Sequence, residues 1–206
     1  REDLLLAHDR AYLQRMETDR ARFAMASLAA GGAILAAQLA YSGEAAFACI
    51  RPPGHHASRA SAWGHCTFNN LALALLVLRS QKRIGSPFVI DIDQHTGDGT
   101  RKVLAPWPEA ETFNPFAETA PEYLALVEQH LSSIKRADII AVSAGFDAYR
   151  LDLGHKLDTD DFERIGRLVR KASQRLCGGR RFAVLEGGYY LADLGANVRA
   201  FCRGFA

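Results

Sequence analysis

Within nine residues the chain carries Asp91-Ile-Asp-Gln-His-Thr-Gly-Asp-Gly99, three carboxylates and an imidazole closing on a Gly-x-Gly turn. In an extended segment Asp91, Asp93 and His95 alternate onto one face, so Asp93 and His95 could grip a cation while Asp91 serves another group on that side. Zinc accepts carboxylate oxygen and imidazole nitrogen, and a catalytic zinc keeps three protein ligands and one open position. Asp147, in Gly145-Phe-Asp147, is the natural third ligand. The plainer reading is that these acids cap the helix that follows and that His95 is a satisfied turn histidine.

Two more stretches add proton-handling groups. Arg51-Pro-Pro-Gly-His-His56 places two adjacent imidazoles after a rigid turn. Such a pair needs carboxylates to fix its tautomers, and Asp91 and Asp98 are the acids not used on the metal. A His-His dipeptide alone is weak evidence; here it stands at the end of an apolar run. In Glu186-Gly-Gly-Tyr189 the tyrosine follows two glycines and could project its hydroxyl where a carbonyl oxygen acquires charge, whereas Tyr190 reads as core or rim.

What must position these groups is a sheet. Each polar stretch follows a short, unalternating apolar run, Phe47–Ile50, Pro87–Ile90, Ile139–Val142 and Phe182–Leu185, as expected of strands buried on both faces. Between them, Phe68–Leu78, Glu122–Ile134, Phe162–Leu176 and Leu191–Phe201 carry apolar residues at helical spacing, one after the capping signal Asp158-Thr-Asp-Asp161. Alternating strands and helices predict an α/β fold: a parallel sheet of at least four strands, covered by helices on both faces, with ligands at the strand C-terminal ends. The first forty-odd residues read as two helices, Glu2–Met16 and about Ala21–Tyr41. Ala105–Pro121, with four prolines, reads as a loop.

Composition narrows the class. With 206 residues, 49% of them hydrophobic, the chain can bury a sizeable core as one domain, 1–206. A net charge of +2 from 25 basic and 23 acidic residues supplies no single-signed surface for phosphates, which argues against nucleic acid as a direct partner. Cys49, Cys66, Cys177 and Cys202 are far apart and form no Cys-x-x-Cys, so buried free thiols and a cytoplasmic location are expected. Phe23–Tyr41 is alanine-rich and interrupted by Gly-Gly, and it reads as too weakly hydrophobic for a membrane span.

Taken in order, Arg51-Pro-Pro-Gly-His-His-Ala57, Trp63-Gly-His-Cys-Thr-Phe-Asn-Asn70, Asp91–Thr100, Val142-Ser-Ala-Gly-Phe-Asp-Ala148 and Leu185-Glu-Gly-Gly-Tyr189 resemble the motifs of the histone deacetylase superfamily, which includes acetylpolyamine amidohydrolases and acetoin-utilisation proteins. Leu4–Met16 carries a weaker echo. The resemblance implies an arginase/deacetylase-like fold and one divalent metal per chain, usually Zn2+, on Asp93, His95 and Asp147. It implies that His55 and His56 form a dyad with Asp91 and Asp98, that Tyr189 is the oxyanion donor, and that K+ sits near Asp91. The activity implied is hydrolysis of an acylated amine, such as acetyl-lysine, an acetylated polyamine or another small amide, with His56 as the proton carrier and His55 as its electrostatic partner. Two positions depart from the pattern: Thr96 replaces a second histidine, and His65 replaces a tunnel aromatic. The segments Met16–Leu28 and Arg101–Pro121 are short. An arginase-type binuclear hydrolase and a catalytically weakened binding module are the competing readings, and the oligomeric state is left open.

Overall fold

The structure, a computed structural model, describes residues 2–206. Helices α1 (Leu4–Ala7), α2 (Arg10–Glu17) and α3 (Arg20–Tyr41) lead into β1 (Ala46–Ala48), α4 (Asn70–Ser80), β2 (Pro87–Asp91) and α5 (Asp98–Leu104). They are followed by β3 (Glu111–Phe113), α6 (Ala120–Ser133), β4 (Ile139–Ala144), α7 (Thr159–Cys177), β5 (Arg181–Leu185) and α8 (Leu191–Phe205). All five strands are parallel, in the order β1-β5-β4-β2-β3.

Strand periodicity assigns the sheet's two faces. Val89, Ile139, Ala141, Phe182 and Val184 bury against α1 through α5. Their neighbours Phe88, Ile90, Ile140, Val142, Ala183 and Leu185 bury against α6, α7 and α8. Helix starts follow capping chemistry. Asp19, Asn69 and Thr119 each accept the N–H three residues on, and Asp158 with Asp161 forms the capping box before α7, which ends at Gly178 with φ 62°.

Three expectations change. The first helix is two: His8 is extended because its ring Nδ1 donates to the Ser58 carbonyl at 2.8 Å while Nε2 accepts the Asn69 N–H at 3.0 Å. The segment 105–121 is not wholly a loop, since Glu111–Phe113 pairs with Phe88–Ile90 as the edge strand β3. The strand expected to reach Ile50 stops at Ala48, where the Ile50 N–H turns back to the Ala48 carbonyl. All four cysteines are free; Cys66 and Cys177 are buried, whereas Cys49 is exposed because it lies on that turn.

By length and composition alone α3 would pass for a membrane span. Its alanine face, from Ala26 to Ala40, is packed into the core beside α4 and the sheet. Its outer side carries Met25, Leu28 and Leu35 exposed.

Candidate active site

The four strands whose ends were expected to converge, β1, β5, β4 and β2, are contiguous in the sheet. Their C-terminal ends bring all eight candidate residues together around one cavity and its floor. The cavity, of about 310 Å³, is lined by His55, His56, His95 and Tyr189, with Trp63, His65 and Leu153 at its walls.

At the floor Asp93, His95 and Asp147 present ligand atoms within 4.8 Å of one another. Backbone donors set the carboxylates. Asp93 accepts the N–H of His95 at 2.9 Å and of Gly187 at 2.8 Å, and Asp147 Oδ1 accepts that of Gln94 at 2.8 Å. Gly187 has to be glycine, because a Cβ there would overlap both carboxylates. Asp147 Oδ2 is buried and lies 2.9 Å from His95 Nδ1, yet the approach makes no hydrogen bond, and it alone among the described buried side-chain polar atoms has no hydrogen-bond partner. Burial and the charge of Asp93 push Asp147 up to about 7. A buried oxygen without a donor, beside a second carboxylate and a half-exposed imidazole, fits a divalent cation of the zinc type. A second convergent group, His55, Cys66 and Glu186, is otherwise engaged. Glu186 accepts the N–H groups of Gly54 and His55, the His55 ring is on Asp91, and Cys66 accepts the His56 N–H.

The two histidines differ although they are adjacent. His55 Nδ1 lies 3.0 Å from Asp91 Oδ2, both side chains being about 4% exposed. Burial alone would lower His55, but the charge and hydrogen bond of Asp91, with Glu186 and Asp93 behind, raise it to about 10. His56 Nδ1 lies 3.0 Å from Asp98 Oδ1. Burial and the neighbouring His55 charge lower it to about 4, so His56 stays neutral and leaves Nε2 as the free base. Tyr189 is pushed up to about 12 by burial and by the Asp93 and Asp147 charges, so its hydroxyl keeps its proton.

Several residues at the site carried no sequence signal of their role. Glu186 was visible only as an acid at a strand end; it ties the Gly54-His55 turn to β5. Asp152 accepts the N–H groups of Tyr189 at 2.6 Å and Tyr190 at 2.7 Å, holding the Gly-Gly-Tyr loop from the connection that follows the neighbouring strand β4. Thr96 is exposed, and His65 stands at the cavity wall with its ring 5.9 Å from that of Tyr189. The Asp91 main-chain carbonyl accepts Asn114 Nδ2 at 3.1 Å.

Comparison with known proteins bears on the fold and the family. A family description, histone deacetylase domain, matches residues 1–121 and 112–205. A probable deacetylase of Methanothermobacter thermautotrophicus is 31% identical over 255 aligned residues, covering 98% of this chain and 76% of that one. The acetylpolyamine amidohydrolase of Burkholderia pseudomallei is 30% identical over 198 residues; the match covers 78% of this chain and 56% of that protein's length. A crystal structure of acetylpolyamine aminohydrolase from the same species superimposes with a TM-score of 0.85 at 25% identity, covering 99% of this chain and 82% of that one. Helices on both faces of a parallel sheet, with the polar strand ends gathered at one edge, are thus the α/β arginase/deacetylase fold, and the chain belongs to the histone deacetylase domain family.

Proposed function

We propose that the chain is a Zn2+-dependent amide hydrolase that removes an acetyl or other acyl group from an amine, with Asp93, His95 and Asp147 holding one metal ion. The observation that carries this reading is the buried, unpartnered Asp147 Oδ2 facing His95 beside Asp93. Bound there, zinc would supply Lewis-acid polarisation of the acyl carbonyl and would acidify a water molecule. His56 takes the water proton on Nε2, since Asp98 fixes its other nitrogen, and returns a proton to the leaving amine. His55, charged against Asp91, provides a fixed positive field and does not cycle. Tyr189, protonated at working pH, donates its hydroxyl to the tetrahedral oxyanion.

Among the described residues no carboxylate lines the cavity walls, and the adjoining groove carries Arg22 and Arg51. A polycationic tail finds no counter-charge there, so acetyl-lysine or a neutral small amide is favoured over an acetylated polyamine. The donors of the second convergent group are already engaged, which weighs against a two-metal arginase-type centre. The free cysteines support a reducing, cytoplasmic setting. The test is deacetylation by the zinc-loaded protein of an acetyl-lysine peptide, an acetylated polyamine and a small acetamide, with His56→Ala as blank. Turnover of the first or third above the second is expected. No turnover of any substrate would overturn the enzyme reading in favour of a binding module.

A further inference from the structure

We infer that Trp63 is a positioning residue of this site, clamping the His56 ring face-on and tying down the carboxylate that holds it. The inference rests on the deacetylase reading above. Trp63 lies on the connection between His56 and α4 and is 53% exposed, far more than a large aromatic needs for packing. Its ring stacks on His56 with centroids 3.5 Å apart and planes inclined by 26°. The other face of the His56 ring meets His55, centroids 3.9 Å apart, so the imidazole is held between two rings.

The indole also reaches past His56. Its Nε1–H donates at 3.1 Å to Asp98 Oδ1, the same oxygen that faces His56 Nδ1 at 3.0 Å. Lys102 Nζ holds Asp98 Oδ2 at 2.7 Å. The carboxylate therefore cannot turn away from the histidine, and the histidine cannot tilt away from the carboxylate. Gly64, directly after Trp63 and left-handed at φ 60°, turns the chain at this point, with His56 Cδ2 close by. When His56 takes up a proton during turnover, its face lies over the electron-rich indole, an attraction greater for imidazolium than for the neutral ring. Such a contact favours the reacting state over the resting one, and its loss appears in kcat more than in KM.

The experiment compares wild type with Trp63→Phe, which retains a stacking ring but no N–H, and Trp63→Leu, which has neither. For Trp63→Leu kcat should fall about tenfold or more, within the roughly 10²–10⁴-fold that a placed general base contributes, while KM stays within about twofold. Trp63→Phe should fall between. In metal-free protein, long-range proton–nitrogen spectra should show His56 as a single Nδ1–H tautomer in wild type and as a mixture in Trp63→Leu. With active wild type both changes are required. A kcat within about twofold, a rise confined to KM, or an unchanged tautomer each overturns the inference. If wild type hydrolyses no acylated amine, the deacetylase reading fails by itself, and the tautomer measurement alone decides for or against Trp63.

Discussion

His55 and His56 share a turn and a residue type, yet they should fail in different ways when removed. His56→Ala deletes the base whose Nε2 faces the cavity, so turnover should drop by about 10²-fold or more, with metal content by elemental analysis and melting temperature unchanged. His55→Ala leaves Asp91 buried without its partner, 3.0 Å away in the native chain, and should cost about 3 kcal/mol in denaturant titrations. Equal stability of the two variants would contradict the assignment of His55 as a charged partner. Tyr189 is tested by its neighbour. Removing a donor from an oxyanion typically costs about 2.7–4 kcal/mol, so Tyr189→Phe should lose roughly two to three orders of magnitude in kcat, and Tyr190→Phe almost nothing. Damage in the Tyr190 variant with a silent Tyr189 variant would place the wrong hydroxyl at the carbonyl. These candidate residues were legible because each follows an apolar run or lies in a dense polar motif. Glu186, Asp152 and Trp63 were not readable as functional, because their meaning lies in their partners: Gly54 for Glu186, 132 residues away, Tyr189 for Asp152, 37 away, and Asp98 for Trp63, 35 away.

At the scale of elements, the break between α1 and α2 concentrates a pH response in one side chain. His8 is fully buried, one ring nitrogen donating to Ser58 and the other accepting from Asn69 at the start of α4, so a second proton has no place to go. Burial, with the nearby Arg59 charge adding to it, lowers His8 to about 4 despite the Ser58 bond. The unfolded chain takes its proton near the usual 6.5, the folded chain only near 4. Between those values acid therefore favours unfolding, and this part of the stability is intact above pH 6.5 and lost as pH falls toward 4. The loss approaches roughly 1.4 kcal/mol per pH unit inside that window. Denaturant midpoints at pH 7 and pH 5 should show it, and His8→Asn should flatten the slope by one proton; an unchanged slope would remove His8 as its source. The main strands and helices were legible from apolar runs and helical spacing because burial on two faces leaves that pattern. The His8 break and β3 were not, since an imidazole bridging Ser58 and Asn69, and a three-residue edge strand completed by its pairing with β2, have no local pattern.

At the scale of the whole molecule, metal and fold should be linked. Adding zinc to metal-free protein should raise its melting temperature, because an ion that binds only the native arrangement of Asp93, His95 and Asp147 adds about 2.7 kcal/mol at a hundredfold excess over Kd. Asp147→Asn should shrink the rise, and calorimetry with and without zinc measures both; no rise in wild type would speak against the assigned ligands. The sheet order β1-β5-β4-β2 has a further effect on how the molecule matures. Gly187 and Asp93 are joined across 94 residues, Gly54 and Glu186 across 132, and both contacts form only after β5, the last strand in the chain, has been inserted between β1 and β4. Closing such long loops comes late in folding. A chain refolding from denaturant should thus regain its helical signal well before any turnover, and the return of enzyme activity becomes a clock for strand insertion.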